Sequence, residues 1–521
     1  MWTKINRNKR LVFSLIVFGL AVSARLIPGA RIIDDAFISF RYARNILSGS
    51  GFVYNLNEQV LGTTTPLYTL LLVLVGSVTG GSHAPFPAIA LIVNALADGL
   101  TAVLLLRLGR ILQHLWAGVG AALIWTVLPY SVTFAIGGME TSIYVLFLVS
   151  VWIAYSEQRY PVCAILGAGA LLTRPDAIIL LVPIACDRLL FDTKRRGVPL
   201  KSSEFVAFFV PIILWFGFAT AYFGSPLPHS MIAKQGAYLL EPSSAFIRLL
   251  QHYATPFMGH LTFGNLWNGI GLIVYFFFFS IVCLQILRNQ TAHWAFLLFP
   301  WLYFAVFAVA NPLIFRWYLT PPLPFYILII FTGLMKFARD LFKIEPGTTE
   351  KQTRGYQVAV LLMTILPLIL ILRSWDWRPD HGPKRPAPTM AWHLLELYYQ
   401  EAAEIVSQDV GDPGLAPTLA AGDVGVLGYS TGLPILDTVG LNSPQTLDYY
   451  PLEPELIAGA AYAVAPDLIF DEMPEYIVIL EIYGRAGLLR DLRFAQQYKL
   501  LQKLETDIYE SDGLLIFKHQ P

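Results

Sequence analysis

The chain has 521 residues, of which 55% are hydrophobic and 14% are charged. Soluble domains carry about a quarter charged residues, so this balance excludes an ordinary soluble protein and indicates a membrane protein. The formal net charge is zero, which argues against nucleic acid as a partner. The cysteines Cys163, Cys186 and Cys283 lie in apolar runs, so they predict neither a disulfide framework nor a zinc site.

Apolar segments recur along the first 373 residues. A membrane-spanning helix needs about 20 mostly apolar residues. Eleven segments predict spans, at residues 11–28, 87–106, 113–136, 141–157, 160–173, 175–190, 203–223, 267–287, 293–311, 318–338 and 356–373. Residues 4–10 are basic and precede the first segment, which has no small-residue cleavage site and is interpreted as a retained signal anchor.

The apolar run 66–79 decides the predicted topology. It is only 14 residues long, which favours a re-entrant or interfacial helix over a span. If it does not span, all clusters of lysine and arginine fall in cytoplasmic loops, as the positive-inside rule requires. We therefore expect a multi-pass protein of the inner (plasma) membrane, with its N-terminus inside, its C-terminus outside and a first outer loop at residues 29–86.

A change in composition follows the last apolar segment. Residues 1–378 form the predicted membrane domain, and the proline-rich stretch 379–388 is predicted to be a linker. Residues 389–521 are predicted to form a soluble, extracytoplasmic α/β domain. Its predicted helices are 390–410, 455–463 and 488–504, and its predicted strands are 418–422, 433–439, 468–470, 476–480 and 513–518, with the first two strands joined through 428–430.

Two adjacent carboxylates, Asp34 and Asp35, follow the first apolar segment. Acids beside a membrane are costly and are often functional. One of them is explained by capping the helix predicted to begin at Ala36, but capping leaves the other unexplained. We therefore expect one carboxylate to act as a catalytic base on a hydroxyl, and the sequence does not assign the base between them.

Further charged residues fall on the same predicted outer face. Glu140 begins a span and is a third candidate catalytic acid, with a helix-start role as the alternative. The cations of this face are Arg174, Lys234 and Arg316. Each one alone is explained as a snorkelling anchor, but together they predict a site that binds a phosphate leaving group.

The outer loops offer other polar residues for substrate binding. Candidates are Arg41, Tyr54 and Thr64 in the first loop and His229 in a later one. Interfacial anchoring is the alternative for Arg41, and a packing role is the alternative for His229. No cofactor is required by this chemistry, although three acids are compatible with a divalent cation such as Mg²⁺, Mn²⁺ or Ca²⁺.

Several separated motifs resemble one known superfamily. They are Asp34–Tyr42 with the sequence DDAFISFRY, 49–55 (GSGFVYN), 138–141 (GMET), 172–176 (LTRPD) and 222–228 (YFGSPLP), ending in Ala233-Lys234. In this order they resemble the GT-C superfamily of polytopic glycosyltransferases, which use polyprenyl-phosphate sugars. The nearest branch contains the terminal arabinofuranosyltransferases of mycobacterial cell-wall arabinan.

The resemblance implies a GT-C membrane domain whose first outer loop carries the catalytic acid, with a basic site nearby for the donor phosphate. This chain departs from the branch at 61–67, where LGTTTPL replaces the EGYTSPL of many members, and at His229, where many have asparagine. The donated sugar therefore stays open between arabinofuranose and a hexose.

The resulting hypothesis is an inverting transferase in the lipid bilayer. It would move a sugar from a polyprenyl-phosphate donor to a glycan, glycolipid or protein acceptor of the cell envelope. A transporter or flippase of a lipid-linked substrate is the alternative, although transporters tend to have repeats and broken helices at the membrane midplane. A non-catalytic scaffold is a third reading, but it leaves the acids at two outer helix starts unexplained.

Overall fold

The computed structural model describes residues 7–238, 240–289, 293–344, 349–375, 391–411, 416–457 and 460–520. The predicted linker 379–388 lies outside these ranges. The described residues of the membrane part form helices α1 to α18, which are Arg7–Leu26, Asp34–Leu47, Pro66–Thr79, Phe86–Ile111, Leu115–Val127, Pro129–Ile136, Thr141–Ser156, Tyr160–Thr173, Ile178–Cys186, Thr193–Arg196, Ser202–Phe223, His229–Ala237, Ser244–Ala254, His260–Phe263, Trp267–Asn289, Trp294–Ala310, Leu323–Leu341 and Glu350–Leu372.

Fewer of these helices are long and apolar enough to be spans than the eleven predicted from the sequence. Five stretches within the described ranges are long and apolar enough to cross a membrane: Phe86–Ile111, Ser202–Phe223, Trp267–Ile286, Arg316–Leu341 and Gln352–Leu372. The shorter apolar helices are α3, α7, α8 and α16. The eleven-span topology and the non-spanning role of α3 therefore stay predictions.

The predicted span 113–136 is bent. It consists of α5 and α6, which meet at 44° and would make a sixth span if they are counted as one. Leu128 between them has an extended backbone, with φ −65° and ψ 122°. Pro129 explains the bend, because a residue before proline is disfavoured in the helical conformation.

A buried ion pair ties the first helices of the bundle together. Arg25 of α1 and Asp98 of α4 are both 0% exposed, and their side chains lie 2.9 Å apart. The guanidinium also donates to the carbonyl of Thr126 in α5 and to the hydroxyl of Ser131 in α6. A buried charge needs such partners, so this cluster fixes four helices relative to one another.

The C-terminal domain combines helices with one small sheet, and its assignment as a separate extracytoplasmic α/β domain stays a prediction. Its described helices α19 to α23 are Ala391–Val410, Gly425–Thr431, Pro454–Ile457, Pro466–Glu472 and Leu492–Gln497, and its strands β1 to β5 are Leu419–Ala421, Ile435–Asp437, Tyr476–Leu480, Tyr498–Leu504 and Leu514–His519. They form one five-stranded sheet in the order β2-β1-β3-β5-β4. β1 runs parallel to β2 and β3, whereas β5 is antiparallel to β3 and β4.

The first two strands are joined through 428–430 as predicted, and these residues belong to helix α20. Two sequence-based assignments in this domain were wrong. The strand predicted at 468–470 lies in helix α22, which begins at Pro466, a favoured first helical residue. The helix predicted at 488–504 ends in strand β4, which lies at the edge of the sheet, where mostly exposed side chains hide the alternation typical of a strand. Of the helix predicted at 455–463, residues up to Ile457 lie in α21, residues 458–459 lie outside the described ranges, and residues 460–463 are not helical.

Residues of the segment 29–86, which is predicted to be the first outer loop and is called by that name below, pack into the core of the C-terminal domain. Ile38 and Tyr42 of α2, together with Phe52 and Tyr54 after it, belong to the same buried cluster as the sheet residues. Shared burial of this kind joins two segments more than 350 residues apart in sequence. The two segments therefore form one packed unit, and the predicted domain boundaries stay a prediction.

Candidate functional site

A cavity of about 620 Å³ lies where the first outer loop, the membrane domain and the C-terminal domain meet. The loop contributes Ile33, Asp34 and Asp35, and the membrane domain contributes Tyr238, Arg248, Phe315, Arg316 and Trp317. The C-terminal domain contributes Glu396, Asp423, Tyr462, Tyr483, Tyr509 and Glu510, among others. The cavity thus gathers three of the predicted site residues, Asp34, Asp35 and Arg316.

Asp34 does not cap its own helix. α2 begins at Asp34 itself, after Ile33, with no side-chain cap. The Asp34 carboxylate instead accepts hydrogen bonds from the backbone amides of Gly425 (2.8 Å) and Val426 (2.7 Å), at the start of α20. It therefore satisfies the free amides of a helix in the C-terminal domain, and its 7% exposure leaves little access to a substrate.

Glu396 of α19 performs the converse role. Its Oε1 accepts a hydrogen bond of 2.9 Å from the Asp34 amide, at the start of α2. Each segment thus supplies the carboxylate that caps the other's helix, and we call this arrangement the reciprocal cap, made by Asp34, Glu396, Gly425 and Val426. Burial raises the pKa of Glu396 well above its ordinary value, as does the nearby charge of Asp34.

Asp35 is the accessible member of the aspartate pair. Its side chain is 31% exposed, and its Oδ2 lies 3.7 Å from the ammonium of Lys234 in α12. Although burial opposes it, the charge of Asp35 raises the pKa of Lys234, so this side chain stays protonated. Lys234 also lies over the Phe315 ring, 4.9 Å from its centroid. The structure therefore brings a carboxylate and a cation together at the cavity.

Arg174 is enclosed by carboxylates. It lies 3.0 Å from Glu140 and 3.0 Å from Asp176, and its guanidinium stacks 4.8 Å from the Tyr318 ring. Nε, Nη1 and Nη2 each donate to one of these carboxylates. Arg174 and Glu140 are thus buried in a satisfied cluster with a net negative charge, and neither lines the cavity. Their predicted phosphate-binding and catalytic roles stay predictions.

A second cationic group faces the cavity. Arg316 begins a short helical turn after Phe315, and Arg248 projects from α13. Both line the cavity, next to Trp317. Two guanidinium groups that line one cavity are a candidate site for an anion, because each offers several hydrogen-bond donors in a fixed plane.

The predicted substrate-binding residues of the first loop have other partners. Arg41 donates to the carbonyls of Tyr54 (2.8 Å) and Leu433 (2.8 Å) and lies over the Tyr54 ring. The Tyr54 hydroxyl donates to the carbonyl of Val424 (2.6 Å). Both side chains are buried and hold the loop against the C-terminal domain, and their predicted substrate-binding roles stay predictions.

Thr64 and His229 complete the predicted set. Thr64 is half-buried in the chain that leads to α3, and neither residue lines the cavity. His229 begins α12, and its amide donates to the carbonyl of Leu61 (2.8 Å). Burial lowers the pKa of His229, so this imidazole stays neutral near pH 7. The substrate-binding roles of both residues stay predictions.

Asp423 was missed by the sequence analysis. It lies two residues before α20, lines the cavity and accepts a hydrogen bond from the Tyr399 hydroxyl. Burial raises the pKa of Asp423 to about 6, and the charge of Asp35 acts in the same direction. Glu396 and Arg248 were missed as well, because an acid in an amphipathic helix and an arginine in an outer helix are common surface features.

The described residues do not suggest a metal centre. Within the described ranges, no three His, Cys, Asp or Glu side chains come together in a way that could hold a metal ion. The carboxylates at the cavity are instead bonded to backbone amides, to Tyr399 and to Lys234. The predicted divalent cation stays a prediction.

Solved structures define the class of fold. The chain is similar to ArnT from Cupriavidus metallidurans bound to undecaprenyl phosphate, with a TM-score of 0.51, 12% identity and coverage of 98% of this chain and 97% of that one. It is also similar to the Archaeoglobus fulgidus oligosaccharyltransferase in complex with Zn and sulfate, with a TM-score of 0.52, 12% identity and coverage of 96% and 72%. At these identities the likeness shows the fold, which this chain shares with ArnT and the oligosaccharyltransferase, and the predicted resemblance to the GT-C glycosyltransferases is confirmed as a resemblance.

Sequence comparison adds one particular relative. The terminal β-(1→2)-arabinofuranosyltransferase of Mycobacterium tuberculosis is 28% identical over 225 residues, which cover 40% of this chain and 35% of that protein. The match therefore spans about a third of the relative's length. A family model described as "Domain of unknown function (DUF8728)" matches residues 391–517, which is nearly all of the C-terminal domain.

Proposed function

We propose that the protein is a multi-pass membrane glycosyltransferase that moves a sugar from a polyprenyl-phosphate donor to a hydroxyl acceptor. The observation that carries the proposal is Asp35, an accessible carboxylate beside Lys234 at the cavity between loop and domain. The fold and the arabinofuranosyltransferase relative support the class of reaction. The undecaprenyl phosphate bound in the ArnT structure supports the class of donor.

Asp35 is the proposed catalytic base. Its carboxylate takes the proton of the acceptor hydroxyl while the hydroxyl oxygen attacks the anomeric carbon of the donor. The bond between that carbon and the phosphate oxygen breaks, and the lipid phosphate leaves with the bonding electrons. A single displacement inverts the anomeric configuration. Asp34 is excluded from this role in the proposal, because both of its oxygens are held by the α20 amides.

The departing phosphate needs positive charge. We assign this to Lys234, whose ammonium lies beside Asp35, and to Arg316 with Arg248 on the cavity wall. These cations stabilise the negative charge that grows on the phosphate in the transition state. Arg174 takes a supporting role, since its cluster with Glu140 and Asp176 contributes to the electrostatic surroundings of Lys234.

The named relative supports an order in which the donor sugars should be tested. Arabinofuranose is the first donor sugar to test, because the relative's name specifies arabinofuranosyl transfer, and a hexose is the second. We place the reaction on the outer face of the inner membrane, with a glycan, glycolipid or protein of the cell envelope as acceptor. No step is assigned to a divalent cation or to another cofactor.

The test is transfer by purified protein in lipid nanodiscs, with a polyprenyl-phosphate arabinofuranose donor and a synthetic arabinofuranoside acceptor. We expect Asp35→Asn to lower the rate about 10²- to 10⁴-fold, the usual contribution of a general base. Glu241→Gln changes an exposed acid of the outer loops and should leave the rate unchanged.

Two results would contradict the proposal. Full transfer by an Asp35→Asn variant that unfolds at the same temperature as wild type would show that Asp35 is not the catalytic base. Movement of the intact donor across the bilayer without release of free polyprenyl phosphate would favour the transporter alternative. Measuring both the released lipid phosphate and the glycosylated product therefore separates the two functions.

A further inference from the structure

The two walls of the cavity carry opposite charge. The membrane-domain wall presents Arg248 and Arg316, whereas the wall from the C-terminal domain presents the acids Asp423 and Glu510 together with Glu396, whose raised pKa favours its protonated form. Carboxylates repel a phosphate, and in a partly buried cavity this repulsion is stronger than in water. The lipid phosphate of the proposed donor therefore fits the cationic wall, and the acidic wall suits a ligand that has no negative charge.

The side chain of Glu396 gives a second observation, which does not depend on the charge of this wall. The residue is 6% exposed, and its Oε1 is used by the Asp34 amide in the reciprocal cap. Its Oε2 has no hydrogen-bond partner among the described residues. A buried polar atom without a partner costs about 1–3 kcal/mol, so a ligand that brings a hydroxyl group to this wall is favoured.

The reciprocal cap also brings the segment that carries Asp423 to the cavity beside Asp35. Asp34 binds the amides of Gly425 and Val426, Asp35 follows Asp34 in the chain, and Asp423 lies two residues before Gly425 and is close enough for the charge of Asp35 to raise its pKa. Both line the cavity. Tyr399 donates a hydrogen bond to Oδ2 of Asp423, which fixes the orientation of the carboxyl group. A hydroxyl group bound by Asp423 would thus lie within the same cavity as the proposed base.

Aromatic side chains complete the same wall. Tyr483 is half-buried and packs edge-on against Tyr462, with ring centroids 5.3 Å apart, and Tyr509 is 45% exposed. All three line the cavity. An aromatic ring offers an apolar face to the C–H groups of a sugar, while neighbouring carboxylates accept hydrogen bonds from its hydroxyls.

We propose that this wall is the acceptor subsite and that it binds a neutral sugar, with Asp423 and Glu396 hydrogen-bonded to sugar hydroxyls and Tyr483 packed on the ring. The inference rests on the proposed function and deepens it, because it names the acceptor class as a neutral, polyhydroxylated glycan. It also assigns a role to the segment that matches the domain of unknown function.

The experiment uses the full-length protein in nanodiscs with a neutral synthetic arabinofuranose disaccharide as the acceptor probe. We expect Asp423→Asn to raise the KM for this acceptor about tenfold, the effect of losing a hydrogen bond to a charged group. The KM for the donor should not change, whereas a purely structural defect would not leave it unchanged. Asp448→Asn, an exposed acid of the same domain, is the matched control and should change neither KM.

A second variant keeps the inference testable if Asp423→Asn fails to fold. Tyr483→Leu keeps an apolar side chain on the wall, and we expect it to raise the acceptor KM without affecting the donor KM. Unchanged acceptor KM in the folded variants, or equal changes in both KM values, would overturn the inference. A glycosyl phosphate that competes for the subsite better than the neutral disaccharide would overturn it as well.

Binding measurements separate this inference from the transferase proposal. Saturation-transfer NMR follows the neutral disaccharide without any turnover. If wild type binds the probe, Asp423→Asn does not, and no lipid phosphate is ever released, then the subsite stands and the transferase proposal fails. If lipid phosphate is released but neither variant changes binding of the probe, the transferase proposal stands and the subsite fails.

Discussion

At the residue scale, the structure separates two adjacent carboxylates by environment. Asp34 is buried and bonded to two amides, whereas Asp35 is partly exposed beside Lys234. The distinction comes from residues 424–426, which are nearly 400 positions away in the chain. Neighbouring acids in one motif can therefore have different roles, one in positioning and one in chemistry.

Glu396 gives a prediction about pH and stability. Because burial raises its pKa in the folded state, the fold favours the protonated carboxyl group, and this stabilisation is lost as pH rises from the ordinary glutamate value through the raised one. Gln mimics the protonated form at every pH, so we expect Glu396→Gln to lose less thermal stability than wild type between about pH 5 and pH 8. Asp34 and Asp423 face the same group and contribute a residual dependence.

Thermal unfolding in detergent, followed across this pH range, checks the prediction. Glu401→Gln changes an exposed acid of the same helix and should reproduce the wild-type profile. An identical slope for Glu396→Gln and wild type would mean that Glu396 is ionised in the folded protein throughout the range.

At the element scale, two glycines allow α20 to approach the first outer loop. A Cβ atom added to Gly425 would collide with the backbone carbonyl of Asp34, and one added to Gly428 would collide with Tyr54 and Arg41. These positions are three residues apart, so they lie on one face of the helix. The close approach is what brings the α20 amides within reach of Asp34.

Substitution of Gly425 should therefore loosen the contact between loop and domain. We expect Gly425→Ala to destabilise the protein by about 1–3 kcal/mol, the cost of overpacking, and to lower transfer because Asp35 is displaced. Thermal unfolding and the transfer assay measure the two effects. Gly217→Ala is the control, because no atom lies within 4 Å of the added Cβ in α11, and it should not destabilise.

At the scale of the whole molecule, the membrane bundle depends on charge as well as on apolar packing. The Arg25–Asp98 pair is fully buried, and Ser142 of α7 also donates to Asp98 (3.0 Å). A buried pair contributes little net stability against an apolar alternative, but removing one partner leaves an uncompensated charge. The pair therefore matters more for how the helices are arranged than for the net stability of the bundle.

Asp98→Asn tests this role. It leaves the Arg25 charge in the bundle without its counter-ion, and we expect a loss of about 3–5 kcal/mol in stability. The exposed pair Arg107–Glu157 provides the control, since Glu157→Gln should cost less than about 1 kcal/mol. Thermal unfolding of both variants gives the comparison, and equal losses would contradict the proposed importance of burial.

How much of the structure could be predicted from the sequence depends on how far apart in the chain the interacting residues lie. Long apolar helices, four of the five described strands of the small sheet and the GT-C resemblance depend on local periodicity and on short motifs, and they were predicted. The edge strand β4 was mistaken for a helix, because its exposed residues lack a clear period of two. The roles of Asp34, Arg41 and Tyr54 depend on contacts with residues 424–433, which no local pattern contains.

The reciprocal cap also constrains how such proteins can be recombined. A C-terminal domain transplanted from a relative would bring its own helix start and its own counterpart of Glu396, while the recipient would keep its own loop. Both caps would then form only where the grafted counterpart of Glu396 meets the start of α2 and Asp34 meets the new helix start, so residues 34–55 are best exchanged as well. The loop and the domain therefore behave as a single exchangeable module, although more than 300 residues of membrane helices lie between them in the chain.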